Sequence, residues 1–191
     1  MKLKHIITIL FIPVVIFLSY LIYHSIDEKS RTIKDIETSE NSIKEKLSFL
    51  KEVQLLHYNT KGEYASTWPE VTQFLKKDSV YIVEKKEEVI TLYYGADSIS
   101  ITYDTIGSVP VIDTLRASVE KTDQYHLDSI PLIPGRKDSF ALKTGKVDGL
   151  PVFEIKDIYP INERRTYGIP GYDTLKMGSL KNVAIKGNWE K

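Results

Sequence analysis

The 191-residue chain has no cysteine, which excludes a disulfide framework, thiolate metal sites and a thiol nucleophile. It has no net charge, with 26 basic against 26 acidic residues, so nucleic acid is not expected as a partner. Four histidines, His5, His24, His57 and His126, are too scattered for metal-ligand spacing. The sequence also lacks a His-Glu-x-x-His pair, an EF-hand loop, a Gly-x-Ser-x-Gly elbow and a phosphate-cradling glycine loop. These absences leave no catalytic residue, cofactor site or metal site to name, and the expectation is a non-enzymatic protein. Two local absences bear on architecture. Ile6 to Tyr23 carries no charge, and no glycine or proline stands between Leu21 and Gly62.

The uncharged run, IITILFIPVVIFLSYLIY, is 18 residues long, about what a helix needs to cross a hydrocarbon core of roughly 30 Å. A cleaved signal peptide would place small residues at its end. Here Tyr20, Leu21, Ile22 and Tyr23 stand there instead, and tyrosines suit a membrane interface. A retained single-pass anchor is therefore the reading, with residues 1–5 as a cytoplasmic tail held inside by Lys2 and Lys4. Residues 6–23 are then the membrane span, and residues 24–191 lie in the periplasm, outside the inner membrane.

Helical periodicity continues beyond the span. From Ile22, every third or fourth position reads Ile22, Ile26, Lys29, Ile33, Ile36, Glu40, Ile43, Leu47, Leu50, Gln54. One reading is a helix packing its apolar stripe on its own domain; the other is a coiled-coil seam joining chains. The apolar members Ile22, Ile26, Ile33, Ile36, Ile43 and Leu47 are the candidate face for an oligomer or an envelope partner. Beyond residue 46, Phe49, Val53 and Leu56 widen the stripe, which suits a globular body. The expected division is a helical stalk over 24–57 and an α+β domain over 58–191.

Gly62 suits the left-handed residue that ends a helix. Thr67-Trp68-Pro69-Glu70 reads as a capping box opening a short second helix that buries Trp68, Val71, Phe74 and Leu75. Leu50-Lys51-Glu52-Val53-Gln54, Tyr58, Gly62, Tyr64, Glu70-Val71 and Phe74-Leu75 together resemble the helix exit of type IV pilins and major pseudopilins. The resemblance covers roughly residues 43–76 and implies a long N-terminal helix, half in the membrane and half packed on a β-sheet domain. The apolar run has neither the leader glycine nor the glutamate of pilins, so the likeness implies the architecture and not prepilin processing. As a whole the chain resembles uncharacterised single-pass envelope proteins of Bacteroidetes, through VQLLHYNTKGEYAS-WPE and the closing GSLKNVAIKGNWE.

From residue 79 the pattern turns β-rich. Val80–Val83, Val89–Tyr94 and Ile99–Tyr103 read as strands. Lys85 to Glu88 and Gly95 to Asp97 read as the turns between them. Two more strands are expected at Phe140–Thr144 and Pro151–Ile158 around a turn at Gly145–Gly149, all in one antiparallel sheet against which the second half of the long helix packs. Seven of twelve aspartates precede a serine or threonine and then an apolar residue. Chance would place Ser or Thr after Asp about twice, given 29 such residues in 191. Local chemistry is one account: the aspartate caps a turn and the hydroxyl residue opens a strand. The triplets also resemble the acceptor of Bacteroidetes O-glycosylation, which would make Ser79, Ser98, Thr105, Thr114, Ser129, Ser139 and Thr174 modification sites. Asn162-Glu163-Arg164-Arg165 reads as a solvated turn, or as an anion clamp. Tyr159, Tyr167, Tyr172 and Trp189 read as buried edges, or as a groove. The leading functional expectation is a structural or assembly component of an envelope machine such as a secretion or pilus-like apparatus. The alternative is a membrane-tethered binding module for a carbohydrate, peptide or cell-wall ligand.

Overall fold

A computed structural model describes residues 2–91, 95, 97–119, 122–167 and 173–190, without the side chains of 2–12, 22–30, 91 and 124. The chain divides into two units, residues 1–42 and 43–191. It is α+β, and its strands pair antiparallel.

Helix α1 runs Lys2–Lys61 without a break, consistent with the absence of glycine in that stretch, and includes Pro13. Among the described residues no helix is long and apolar enough to cross a membrane. Only positions 13–21 of the 6–23 run have described side chains, so the expected span lies largely outside the described residues. Those nine are all exposed, on every side of the helix.

α1 ends as its sequence requires. Gly62 takes φ +82°, and its amide donates to the Tyr58 carbonyl at 2.8 Å. Helix α2, Trp68–Lys77, starts at Thr67, whose Oγ1 accepts the Glu70 amide. Glu70 Oε2 accepts from the Ser66 amide at 2.7 Å, one residue earlier than a standard capping box. Val71, Phe74 and Leu75 are buried as expected; Trp68 is only half-buried, packed against the core with its Nε1 donating to the Phe140 carbonyl at 2.9 Å. Helix α3, Val111–Ser118, two 3₁₀ turns at Thr122–Gln124 and Leu127–Ser129, and a single helical turn α4, Glu163–Thr166, complete the helical content of the described residues.

The β structure differs from the expected single sheet. Strands β1, Ser79–Thr91, and β2, Asp97–Pro110, pair only with each other. Strands β3, Ala141–Val147, β4, Leu150–Lys156, and β5, Lys176–Gly178, form a second sheet in that order. Lys85–Glu88 was expected as a turn and is the middle of β1: charged residues are tolerated in a strand that is exposed on both faces. The β3–β4 turn is only Asp148-Gly149, both at positive φ (51° and 82°), the two-residue geometry whose twist matches the strands. Gly145 is therefore a strand residue, opposite Val152.

The core gathers Ile43, Leu47, Phe49, Leu50 and Val53 of α1 with Phe74 and Leu75 of α2, Val111 and Leu115 of α3, and Phe153, Ile155, Leu175 and Met177 around β4 and β5. The second half of the long helix thus shares a core with the β3–β4–β5 sheet, as expected. An aromatic series reinforces the junction: the Tyr58 and Tyr64 rings stack at 4.9 Å, and Tyr64 lies 4.8 Å from Phe153. Gln54, a polar break in the α1 stripe, is buried and bonded both ways to Ala65, donating to its carbonyl at 3.0 Å and accepting its amide at 2.9 Å.

Two members of the proposed partner face are corrected by this packing. Ile43 and Leu47 are completely enclosed in the core and cannot meet another chain. Leu47→Ala is expected to lower stability by about 2–5 kcal/mol, while Ile33→Ala should change it by less than about 0.5 kcal/mol. Urea unfolding followed by circular dichroism checks both. Gly178 gives a third measurement. It has φ +77°, and an added Cβ would lie 2.2 Å from the Phe153 carbonyl oxygen. Gly178→Ala should therefore cost at least about 2 kcal/mol in the same experiment.

Candidate functional site

Of the remaining stripe residues, Ile33 is exposed and Ile36 half-buried, both in the 1–42 unit. The side chains of Ile22 and Ile26 lie outside the described residues. The candidate glycosylation hydroxyls divide by exposure. Ser98, Thr105 and Ser139 are exposed; Ser79, Thr114, Ser129 and Thr174 are half-buried. Thr114 sits in α3 and Ser129 in a 3₁₀ turn, and their hydroxyls donate to the Pro110 and His126 carbonyls. The turn-then-strand account fits Asp78-Ser79, where α2 stops and β1 starts. It fails at Asp113-Thr114, which is helical.

Asn162 to Arg165 is a single exposed turn capped by Asn162, whose Oδ1 accepts the Arg164 amide; Arg165 donates to the Asp173 carbonyl at 2.6 Å. That is the local bonding expected of a solvated turn. Tyr159 and Tyr167 are exposed rather than buried edges, Trp189 is half-buried against the core, and Tyr172 lies outside the described residues.

A polar cavity of about 440 Å³ is lined by His57, Lys61, Glu63, Glu70, Gln73 and Asp78, with Pro69 and Phe74. His57 is buried, and its Nδ1 lies 2.7 Å from the Glu63 carbonyl. A carbonyl only accepts, so Nδ1 carries the proton. Nε2 lies 3.8 Å from Glu70, an ion pair only when the ring is protonated. Lys61 pairs with Asp78 at 2.9 Å. The cavity thus gathers an imidazole, a paired ammonium and three carboxylates as polar binding groups. Among the described residues no three or more His, Cys, Asp or Glu are grouped to hold a metal ion.

The most conspicuous surface is the β1–β2 ribbon. Register fixes its two faces. On one, Val83 opposes Thr105, Lys85 opposes Tyr103, Glu87 opposes Ile101 and Val89 opposes Ile99. On the other, Glu84 opposes Asp104, Lys86 opposes Thr102, Glu88 opposes Ser100 and Ile90 opposes Ser98. The first face is apolar, with one Lys85–Glu87 ion pair in its middle. The second is polar, and Lys86 bonds Asp104 at 3.0 Å there.

Among the described residues nothing covers the apolar face. Tyr81 is 68% exposed, Tyr103 65% and Val89 65%, with Val83, Ile99 and Ile101 exposed as well. Among the described residues the ribbon joins the body at its root, where Val80 packs on the core. A bulge at Ile106, where Ile82 and Val83 oppose Gly107 and Thr105, bends the ribbon just beyond that root. An isolated two-stranded hairpin is marginal in water, so an uncovered apolar face of this length marks an interaction surface. The sequence did contain the signal, since Ile99, Ile101 and Tyr103 alternate with polar residues. Reading Lys85 to Glu88 as a turn concealed the matching alternation in β1.

Lys46 was not singled out by the sequence either. It is buried, donates to the Ser129 and Leu132 carbonyls at 2.7 and 2.6 Å, and stands 5.7 Å from the Tyr125 ring centre. Its work is structural: it fastens the 3₁₀ turn at Leu127–Ser129 to α1. Burial lowers its ammonium to about 8 from 10.5. The unfolded chain then binds this proton up to a higher pH than the folded one, so Lys46 makes stability rise between pH 8 and 10.5 and leaves it flat below 8. In paired unfolding curves, the stability of the wild type minus that of Lys46→Met should therefore increase as pH rises from 8 to 10.5 and stay constant below 8.

No family model, curated protein or solved structure matches this chain.

Proposed function

We propose that this chain is a non-catalytic, membrane-anchored assembly subunit of a bacterial envelope machine, presenting an α+β head in the periplasm. The observation that carries the reading is the uncovered apolar face of the β1–β2 ribbon, exposed along β1 from Tyr81 to Val89. A protein working alone gains nothing from such a face and risks aggregation through it. A subunit gains a docking edge.

The anchor is supported by the uncharged run from Ile6 to Tyr23 and by the exposure of Val14 to Leu18, Tyr20 and Leu21 all round the helix. Water would penalise such a surface, and lipid would not. The pilin-like comparison gains support from the packing of Ile43, Leu47, Leu50 and Val53 in the core of the head. Exposed hydroxyls at Ser98, Thr105 and Ser139 are accessible to the O-glycosylation that the Asp-Ser/Thr triplets suggest. A second reading, a tethered binding module, is favoured by a cleft of about 460 Å³ where Trp68, Pro69 and Pro131 form an apolar floor beside Lys76 and Lys77. Such a floor suits a sugar ring or a proline-rich peptide.

The full chain, expressed in a bacterial envelope, should sediment with membranes, resist carbonate extraction and require detergent for release. In spheroplasts its head should be digested by added protease. Phe17→Arg together with Leu18→Arg should shift it to the soluble fraction. Recovery of the wild-type chain as a soluble protein without detergent would remove the anchor from this account.

A further inference from the structure

We propose that the occupant of the ribbon's apolar face is a second copy of this chain, packed face to face about a two-fold axis crossing the ribbon near Lys86. This rests on the reading of the ribbon as an assembly surface and adds the identity of the partner.

The argument is one of charge and symmetry. Along β1 the exposed face reads Val83, Lys85, Glu87, Val89, with the lysine and glutamate on either side of the midpoint. A two-fold axis across the strands at that point reverses the second ribbon and lays β1 over its counterpart. Lys85 then meets Glu87 of the other copy, and Glu87 meets Lys85, so each charge finds its opposite twice over. The same operation places Val83 over Val89 and, on β2, Ile101 over Tyr103. Isologous interfaces have this property, residue i meeting j while j meets i. An unrelated partner would need an independently matched order of cation and anion; the chain already carries the match for itself.

Area sets the strength. Strands of 13 and 14 residues at about 3.3 Å per residue make a ribbon about 43 Å long, and two strands are about 10 Å wide. Face-to-face packing then buries roughly 800–900 Å² in total, below the roughly 1,200 Å² typical of a stable complex. The dimer should therefore be weak in dilute detergent and populated where the anchor confines both copies to one membrane.

The absence of cysteine makes cross-linking clean. Full-length chains bearing Val83→Cys and Val89→Cys, coexpressed in membranes and treated with a short bismaleimide, should yield a linked dimer. The polar-face pair Glu84→Cys and Glu88→Cys should not. Lys85→Glu or Glu87→Lys, each introduced into both cysteine chains, should reduce the linked dimer at least about tenfold. Combining a Lys85→Glu chain with a Glu87→Lys chain should restore it, because the charges then match only between copies. Circular dichroism of each variant shows whether it remains folded; loss of linkage with restoration on mixing cannot come from misfolding. No link between positions 83 and 89 in membranes, or a link that ignores both reversals, would overturn the proposal. If Val83→Cys instead links to a different envelope protein, the second copy is overturned as occupant while the assembly reading stands. If the chain is not membrane-bound, that reading fails on its own.

Discussion

The apolar stripe Ile43, Leu47, Leu50 and Val53 on α1 shares one core with residues of α2, α3, β4 and β5 in the 43–191 unit. A helix offers a rigid, straight register of side chains, so α2, α3, β4 and β5 each contribute the residues that fill the grooves along it. Polar groups on α1 complete the attachment where apolar contact would not specify position. Gln54 matches the Ala65 backbone in both directions, and Lys46 takes two carbonyls of the 127–132 segment. Each is enclosed, so losing its partner would leave a desolvated polar group. These bonds therefore fix which loop sits where, while the stripe supplies most of the stabilisation.

A buried ion pair performs the same task at the far side of the sheet. Asp157, 1% exposed, accepts from Arg136 Nη2 at 2.7 Å and from the Tyr159 amide at 2.9 Å, while Arg136 also donates to the Tyr159 carbonyl. This three-bond arrangement among Arg136, Asp157 and the Tyr159 backbone holds the exit of β4 to the turn at Gly135. A buried pair of this kind adds little net stability over an apolar replacement, yet breaking it by removing one partner costs about 3–5 kcal/mol. It is better understood as a device for position than for strength.

Much of this architecture was legible from sequence because local chemistry and tertiary packing agreed. Gly62 had to end α1 and Thr67 to Glu70 had to begin α2, while the turn expected over Gly145–Gly149 closes more tightly, on Asp148-Gly149 alone. The misreadings come from residues whose surroundings, not their type, decide their state. Lys85 to Glu88 has turn composition, but a strand that is exposed on both faces accepts it. Ile43 and Leu47 continue a heptad pattern that suits either a seam or a core, and periodicity alone does not choose between them. The ribbon was half visible, as alternation in β2, and its apolar face emerged only once register set Tyr103 beside Lys85 and Ile99 beside Val89. Lys46 was invisible, since a lysine's burial depends on carbonyls more than 80 residues away in sequence.

The placement of Leu175 and Met177 beside Ile43 and Leu47 in one core has a consequence for biogenesis. The two ends of the head interlock, so its folding nucleus cannot be completed by a partly synthesised chain. The central segments would wait, with their apolar faces uncovered, until Leu175 and Met177 had been made. Such non-local closure is slow and leaves intermediates open to misassociation. A nascent head of this design has a period of vulnerability set by the separation in sequence between residues 43–47 and 175–177, and a holdase chaperone would have most to protect at that stage.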